Sequence, residues 1–337
     1  MAKKIKTIKE VLSEAPIEVA EGITISKLSP IFFDSARLKA QPAPLYRMDM
    51  KDSRLYYRFV DEEPMFYTSV TTMVKNTLPT SPHLIKWIAD RGQDEGLAEA
   101  LLRANYGTFM HAQCAELLIG GKYDLDKLPK KLAEFSAKEK FEYPKGWEED
   151  LKRDVLAFAQ FIIDYEVKAL AIEILLWHPD GYAGAIDLVC EMTIEEKGFF
   201  GETYASGANK GQPKETKQKR RVLAIVDLKS GRKGFYESHD IQLSAYANMW
   251  QFHFEECVEK IFNWSPKEWR STPSYNLKDQ TDSKNIAKLP HLVELAKIEA
   301  SKREDKVTLI SGQIDLTKGL EGHISELTYV ELIKKNK

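Results

Sequence analysis

Two short apolar runs in this chain carry acids where acids are costly, and they restrict it to few architectures. Gly184-Ala-Ile-Asp187-Leu-Val and Ala224-Ile-Val-Asp227-Leu-Lys229-Ser-Gly have the aliphatic and β-branched composition of buried strands. A carboxylate buried in a sheet needs a compensating cation. A magnesium or manganese ion held by oxygen ligands is the natural one. Alternation places Asp187 on the face shared by Ala185 and Val189, and puts Asp227 and Lys229 on one face together. A lysine beside such an ion favours hydroxide over water and offsets charge developing on a phosphate. The other reading of Asp227 and Lys229 is a surface ion pair at a strand end. The D/E-x-K spacing alone decides nothing: it recurs at Asp150/Lys152, Glu166/Lys168, Glu195/Lys197 and Glu304/Lys306, in polar or helical sequence where a solvated face is expected.

The surrounding pattern is that of a mixed α/β chain. Ser81-Pro82 is a helix start that opens helical sequence reaching Gly120-Gly121, and Gly92 and Gly107 divide it so that Gly107 to Ile119 forms a helix of its own. Apolar positions from Leu151 to Tyr165 recur at helical spacing, which predicts an amphipathic helix from Trp147 to about Lys168. Three strands follow, around Ala171–Trp177, Tyr182–Cys190 and Arg221–Lys229. Between the last two, residues 195–220 are rich in Gly, Lys, Glu, Gln and Thr, the composition of a mobile, exposed loop or hairpin extension. Ser238 caps a helix reaching about Glu256 with Ile241, Ala245 and Met249 or Trp250 on its apolar stripe. A strand (Val258 to Trp264), a polar loop (Ser274 to Asn285) and a helix from about Pro290 complete the chain. Helices flanking a small central sheet are the expected core. Residues 1–66 read as an extended or hairpin region with a strand at Arg54–Val60 and a turn at Asp61-Glu-Glu-Pro64. Residues 67–270 read as the core, and 271–337 as an extension packing on it.

The acidic strands have companions in a fixed order. Gly107-Thr-Phe-Met-His111 precedes them on a helix, and Gln242-Leu-Ser-Ala-Tyr246 follows with Gln242 and Tyr246 on one helix face. Taken singly, His111 reads as a satisfied histidine, and Gln242 and Tyr246 as an exposed pair. Together with Gly184/Asp187 and Asp227/Lys229 they make the chain resemble the PD-(D/E)xK nuclease superfamily, in its RecB-like exonuclease branch, which includes phage exonucleases and the mitochondrial genome maintenance exonuclease. The resemblance spans residues 67–264 and takes in Tyr67-Thr-Ser-Val-Thr-Thr72. It implies a restriction-endonuclease-like core with a helical N-terminal part, and a DNA exonuclease of phage or mobile-element recombination or repair using two-metal catalysis with Mg2+ or Mn2+. By the same resemblance His111, Asp187, Asp227 and the Leu228 carbonyl ligate metal, Lys229 acts on water and phosphate, and Gln242 and Tyr246 orient the lysine or the substrate. A structure-selective endonuclease and a non-catalytic nucleic-acid-binding protein on the same fold are the alternatives.

Other acids and decoys are set aside. Glu173 reads as an exposed strand-edge carboxylate, with a role beside the metal as the alternative. Glu116 lies off the His111 face, Pro179-Asp180 is a turn, and Gly312-Gln-Ile-Asp315-Leu is scaffold because no D-x-K follows it.

Net charge is near zero, with 49 basic and 51 acidic residues, which excludes a protein that coats nucleic acid by bulk electrostatics. Phosphates must then meet local patches: Ser230, Arg232 and Lys233 after the catalytic strand, and Lys219, Arg220 and Arg221 at the end of the insertion. The charge run there is otherwise a solvated loop. Tyr56, Tyr57, Phe66, Tyr67 and Trp87 are core aromatics with a capacity to stack on unpaired bases. The scattered Cys114, Cys190 and Cys257 form neither a disulfide framework nor an iron–sulfur or zinc site and read as packing residues. The absence of any long apolar run and of an apolar stretch behind the basic start predicts a cytoplasmic protein with no membrane partner. DNA with a free end, and a recombination or replication protein, are the expected partners.

Overall fold

The computed structural model describes residues 16–39, 44–50, 53–232, 234–300, 305–310, 312, 314, 315, 317, 320 and 322–337, apart from the His83 side chain. In chain order the strands β1 (Ile17–Ala20), β2 (Ile23–Leu28), β3 (Phe32–Phe33), β4 (Leu45–Asp49), β5 (Arg54–Val60) and β6 (Glu63–Ser69) come first. Helices α1 (Val70–Thr77), α2 (Pro82–Arg91), α3 (Gln93–Gly120), α4 (Leu128–Glu139) and α5 (Trp147–Asp164) follow. The strands β7 (Lys168–His178), β8 (Tyr182–Thr203) and β9 (Pro213–Leu228) lead to α6 (Glu237–His253), β10 (Lys260–Pro266) and β11 (Tyr275–Asp279). The chain ends with α7 (Leu289–Ala300), β12 (Lys306–Ile310), β13 (Ile324–Thr328) and α8 (Tyr329–Lys335).

The sheet is not small. Among the described residues eleven strands join in one mixed sheet, because β1, β2, β4, β5 and β6, which carry little sequence signal, pair into it through a parallel contact of Thr68 and Ser69 with Tyr182 and Ala183, while β3 pairs with β7 at Phe32 and Phe33. The hub is β8, which pairs with β7 from Tyr182 to Glu191 and with β9 from Leu188 onwards. Parallel β9 and β10 are joined across α6. One face is covered by α1, α6 and α7 around Met73, Ile241, Met249, Trp250 and Leu292. The other is covered by α3, α4 and α5 around Met110, Leu132, Phe158 and Phe161. The C-terminal α8 closes a third core over β2, β4 and β5 with Leu332 and Ile333.

Several local expectations change. Helix α3 runs through Gly107 unbroken; the glycine serves close packing, since a Cβ there would stand 3.1 Å from Ser230 Oγ. Of the two readings of residues 195–220 the exposed hairpin extension is the one observed: β8 and β9 continue as an arm with Phe199 opposite Glu215 and Thr203 opposite Pro213. The stretch expected as a polar loop contains β11, paired with β10. Tyr236, not Ser238, caps α6, and the turn between β5 and β6 is the tighter Asp61-Glu62, both at positive φ. Helix α5 stops at Asp164, so Lys168 opens β7. Cys114 and Cys190 are buried, but Cys257 is exposed. In the scaffold stretch 312–316, Gln313 and Leu316 lie outside the described residues. Among the described residues no helix is long and apolar enough to cross a membrane.

Candidate metal centre

The site forms where the partner of β8 changes. Along one edge, β6 ends at Ala183 and β9 begins at Leu188, and Asp187 lies between them. Its Oδ2 accepts a 2.7 Å hydrogen bond from the Leu228 amide at the end of β9, which ties the two acidic strands together.

Glu173 occupies the position across from Asp187, between the pairs Ile172/Leu188 and Ile174/Ile186. Its φ is +52°, a left-handed conformation that costs a non-glycine residue roughly 1–2 kcal/mol. The consequence is visible in the packing. Ile172 and Leu188 belong to the core under α3 and α5, whereas Ile174 and Ile186, each two residues away, belong to the core under α6. A regular strand keeps such residues on one face, so the ladder turns over at Glu173 and Asp187. Ala185 and Val189 therefore face opposite sides, contrary to simple alternation, and both carboxylates look toward α3.

From α3 comes His111. Its Nδ1 stands 3.9 Å from Asp187 Oδ1 and 4.0 Å from Glu173 Oε1, and one ligand atom from each of the three residues lies within 4.8 Å of the others. The three side chains remain partly open, at 24%, 32% and 15% exposure for His111, Glu173 and Asp187. Ala115, Leu118, Phe158, Ile172, Leu188 and Leu228 line the pocket beside them.

A second chain of contacts reaches the site from the α6 side. Lys229 Nζ donates to Asp227 at 2.9–3.0 Å and to Gln242 Oε1 at 3.1 Å, and Gln242 Nε2 donates to the Tyr246 hydroxyl at 2.5 Å. Asp227 is 2% exposed. Its other support is Asn263 on β10, whose Nδ2 donates at 2.8 Å while Gln280 donates to Asn263 Oδ1 at 2.9 Å. Gly184 makes room for this arrangement, since a Cβ there would stand 3.0 Å from Tyr246 Cε1.

Desolvation sets the ionisation. It raises Asp227 to about 6, with Lys229 pulling the other way. It also raises Asp187 against Lys229, and raises Glu173 with help from the charge of Asp187 and against that of Arg47. His111 falls to about 4, through desolvation and the Lys229 charge, with a hydrogen bond to the Leu228 backbone opposing. Asp187 and Asp227, whose ionisation is disfavoured, thus lie under the charge of Lys229, and Glu173 under that of Arg47, beside a neutral imidazole. That donor set suits a hard divalent cation, whose charge would offset theirs.

Of the residues singled out in the sequence, His111, Asp187, Asp227, Leu228, Lys229, Gln242 and Tyr246 come together here. The basic residues are engaged differently. Arg232 bonds Asp154 at 2.8 Å and Asp150 at 3.4 Å, and also pairs with Glu268. Tyr106 donates to the same Asp154 at 2.6 Å. Arg220 takes Glu196 and Glu259, and Arg221 takes the carbonyls of Glu166 and Glu191. These guanidiniums brace the loop after β9 and the root of the arm. Lys219 is exposed on the arm, Ser230 packs by Gly107, and Lys233 lies outside the described residues. Two residues gathered at the site were ranked low or passed over in the sequence. Glu173 had only its acid inside an apolar run as a signal, and Asn263 only its amide inside Ile-Phe-Asn-Trp. No family model matches the chain, and no curated protein matches it.

Proposed function

We propose that the chain is a divalent-cation-dependent nuclease, with a restriction-endonuclease-like core of the RecB-like branch, and that it acts as a DNA exonuclease. The observation that carries this reading is the convergence of His111, Glu173 and Asp187 within 4.8 Å, next to a lysine held by Asp227 and Gln242. His111, Glu173, Asp187, Asp227 and the Leu228 carbonyl are the groups that would hold Mg2+ or Mn2+. Such an ion supplies Lewis acidity toward a phosphodiester and eases deprotonation of water.

The chain's own groups do the rest. Lys229 presents a fixed positive charge to a phosphate brought to the site, and its hydrogen bonds to Asp227 and Gln242 limit the ammonium to one place. Gln242, held by Tyr246, would keep the ammonium in that position with Asp227 serving a cation as ligand. His111 enters as a neutral imidazole, so it competes with protons only in acid.

End-labelled linear and circular DNA, single- and double-stranded, incubated with magnesium, manganese or EDTA, tests the proposal. Linear molecules should shorten from an end, circles should persist, and EDTA should stop the reaction. Cleavage of circles would replace the exonuclease with an endonuclease, and no cleavage of any substrate would overturn the enzymatic reading.

A further inference from the structure

Beyond the metal centre, the N-terminal sheet carries a row of arginines on a single face. Arg47 on β4 is the register partner of Tyr56 on β5, and Asp49 is the partner of Arg54. Residues opposite one another in a ladder, and residues two apart along a strand, share a face. Arg47, Asp49, Arg54, Tyr56 and Arg58 therefore project together. The reverse face, with Met48, Leu55 and Tyr57, is buried under α8.

Asp49 organises this face. Its Oδ2 accepts from Arg47 Nε at 2.7 Å and its Oδ1 from Arg54 Nε at 2.8 Å. One carboxylate thus fixes two guanidiniums through their Nε atoms and leaves the pair with a net positive charge. Arg58 extends the row, donating to the Tyr67 hydroxyl at 2.8 Å and lying 4.2 Å over the Trp177 ring.

Two observations connect the row to a ligand near the metal centre. Tyr56 packs in one cluster with Leu175 on β7 and with Ala183 and Ala185 on β8, and Leu175 and Ala185 are each two residues from Glu173 and Asp187, so this face borders the site. Ser26, the register partner of Arg47 on β2, is 4% exposed, and its hydroxyl has no hydrogen-bond partner. A buried hydroxyl without a partner beside a fixed guanidinium lacks an acceptor or donor that a ligand oxygen supplies.

We propose that Arg47 and Arg54, braced by Asp49, form a phosphate clamp that holds the nucleic-acid strand beside the metal centre. The inference rests on the nuclease reading and adds to it a second, positioning contact. The planar guanidinium fork is suited to phosphate oxygens. Their side chains, 29% and 44% exposed, are accessible yet oriented.

The test is binding of fluorescent single-stranded oligonucleotides, bearing a terminal phosphate or only hydroxyl ends, to the full chain in EDTA across a salt series. The Arg47→Met/Arg54→Met variant should bind roughly ten- to a hundredfold more weakly, with the slope of log K against log salt smaller by about 1 to 1.4. Lysine at both positions should restore the slope but not the full affinity. Manganese affinity and melting temperature of the lysine variant should match the wild type, which separates a clamp from a structural ion pair. Loss confined to phosphorylated ends assigns the clamp to a terminal phosphate, and equal loss on all strands assigns it to internal diesters. Either supports the proposal. Should the double variant fail to fold, Arg54→Met alone carries the same comparison. Variants that bind with wild-type affinity and slope overturn the clamp, whereas a wild type that binds no nucleic acid overturns the nuclease reading beneath it.

Discussion

Glu173 faces Asp187 across the β7–β8 ladder from a left-handed backbone, φ +52°, so the cluster holds its second carboxylate at a conformational cost. Strain of this kind persists where the surrounding structure over-determines it, often at functional positions. Glu173→Gly should therefore fold at least as stably as Glu173→Ala, by roughly 1 kcal/mol, because glycine accepts this φ freely. Both should lose manganese affinity. Calorimetric titration alongside thermal melting checks the pair; unchanged metal affinity would remove Glu173 from the site.

Lys229→Ala and Asp187→Asn should both abolish cleavage for different reasons. The asparagine removes an anionic oxygen from a hard cation, so metal affinity falls with activity. The alanine removes a cation that pairs with Asp227, so metal affinity should stay level or rise while the single-turnover rate drops by roughly two to four powers of ten. Near-normal cleavage by Lys229→Ala would sink the assigned site.

Gly184→Ala tests the packing behind the lysine. Its Cβ would meet Tyr246 Cε1 at 3.0 Å, and the ring cannot move without disturbing the bond to Gln242. A destabilisation of roughly 1–3 kcal/mol is expected for the overpacking, with a further loss of rate. The readout is kcat in variants still folded at the assay temperature. An unaltered kcat would show that Tyr246 does not position the lysine chain.

Asp227 and His111 act oppositely on stability with pH. Asp227, raised to about 6 from an ordinary value near 4, retains a proton in the folded state that the unfolded state releases, so its contribution to stability falls as pH rises between those values. His111, lowered to about 4 from about 6.5, takes up a proton more readily when unfolded, so its contribution rises over about pH 4 to 6.5. Asp227→Asn should therefore gain in melting temperature relative to wild type from pH 4 to 6 and level off above. Manganese should stabilise the wild type more at pH 7.5 than at pH 5, because protons compete for the same oxygens. An ion-induced shift independent of pH would argue against carboxylate ligation.

The β8–β9 arm should be dispensable for folding. Replacing residues 199–214 with a short Gly-Ser turn removes exposed strand, including Phe199 at 70% exposure, while keeping the Arg220–Glu196 and Arg220–Glu259 pairs at its root. The melting temperature should change by only a few degrees. A large drop would mean that the arm packs on the body of the protein.

The sequence by itself determined what local periodicity can encode. Strand composition around Asp187 and Asp227, the two-residue step from Asp227 to Lys229 and the four-residue step from Gln242 to Tyr246 each follow from the geometry of one element. The structure brings those residues together with His111. Only the tertiary structure decided the rest, because the deciding contacts join distant segments. The reversal at Glu173 needs the register of β7 on β8, and without it alternation assigns Ala185 and Val189 to one face. The role of Asn263 needs β10 placed parallel to β9. The width of the sheet needs β6 to find β8 across more than a hundred residues, pairing that no short window records. The pairing of Arg232 with Asp154 needs α5 packed beside the loop after β9, since a charged side chain in a sequence has no partner until the chain has folded.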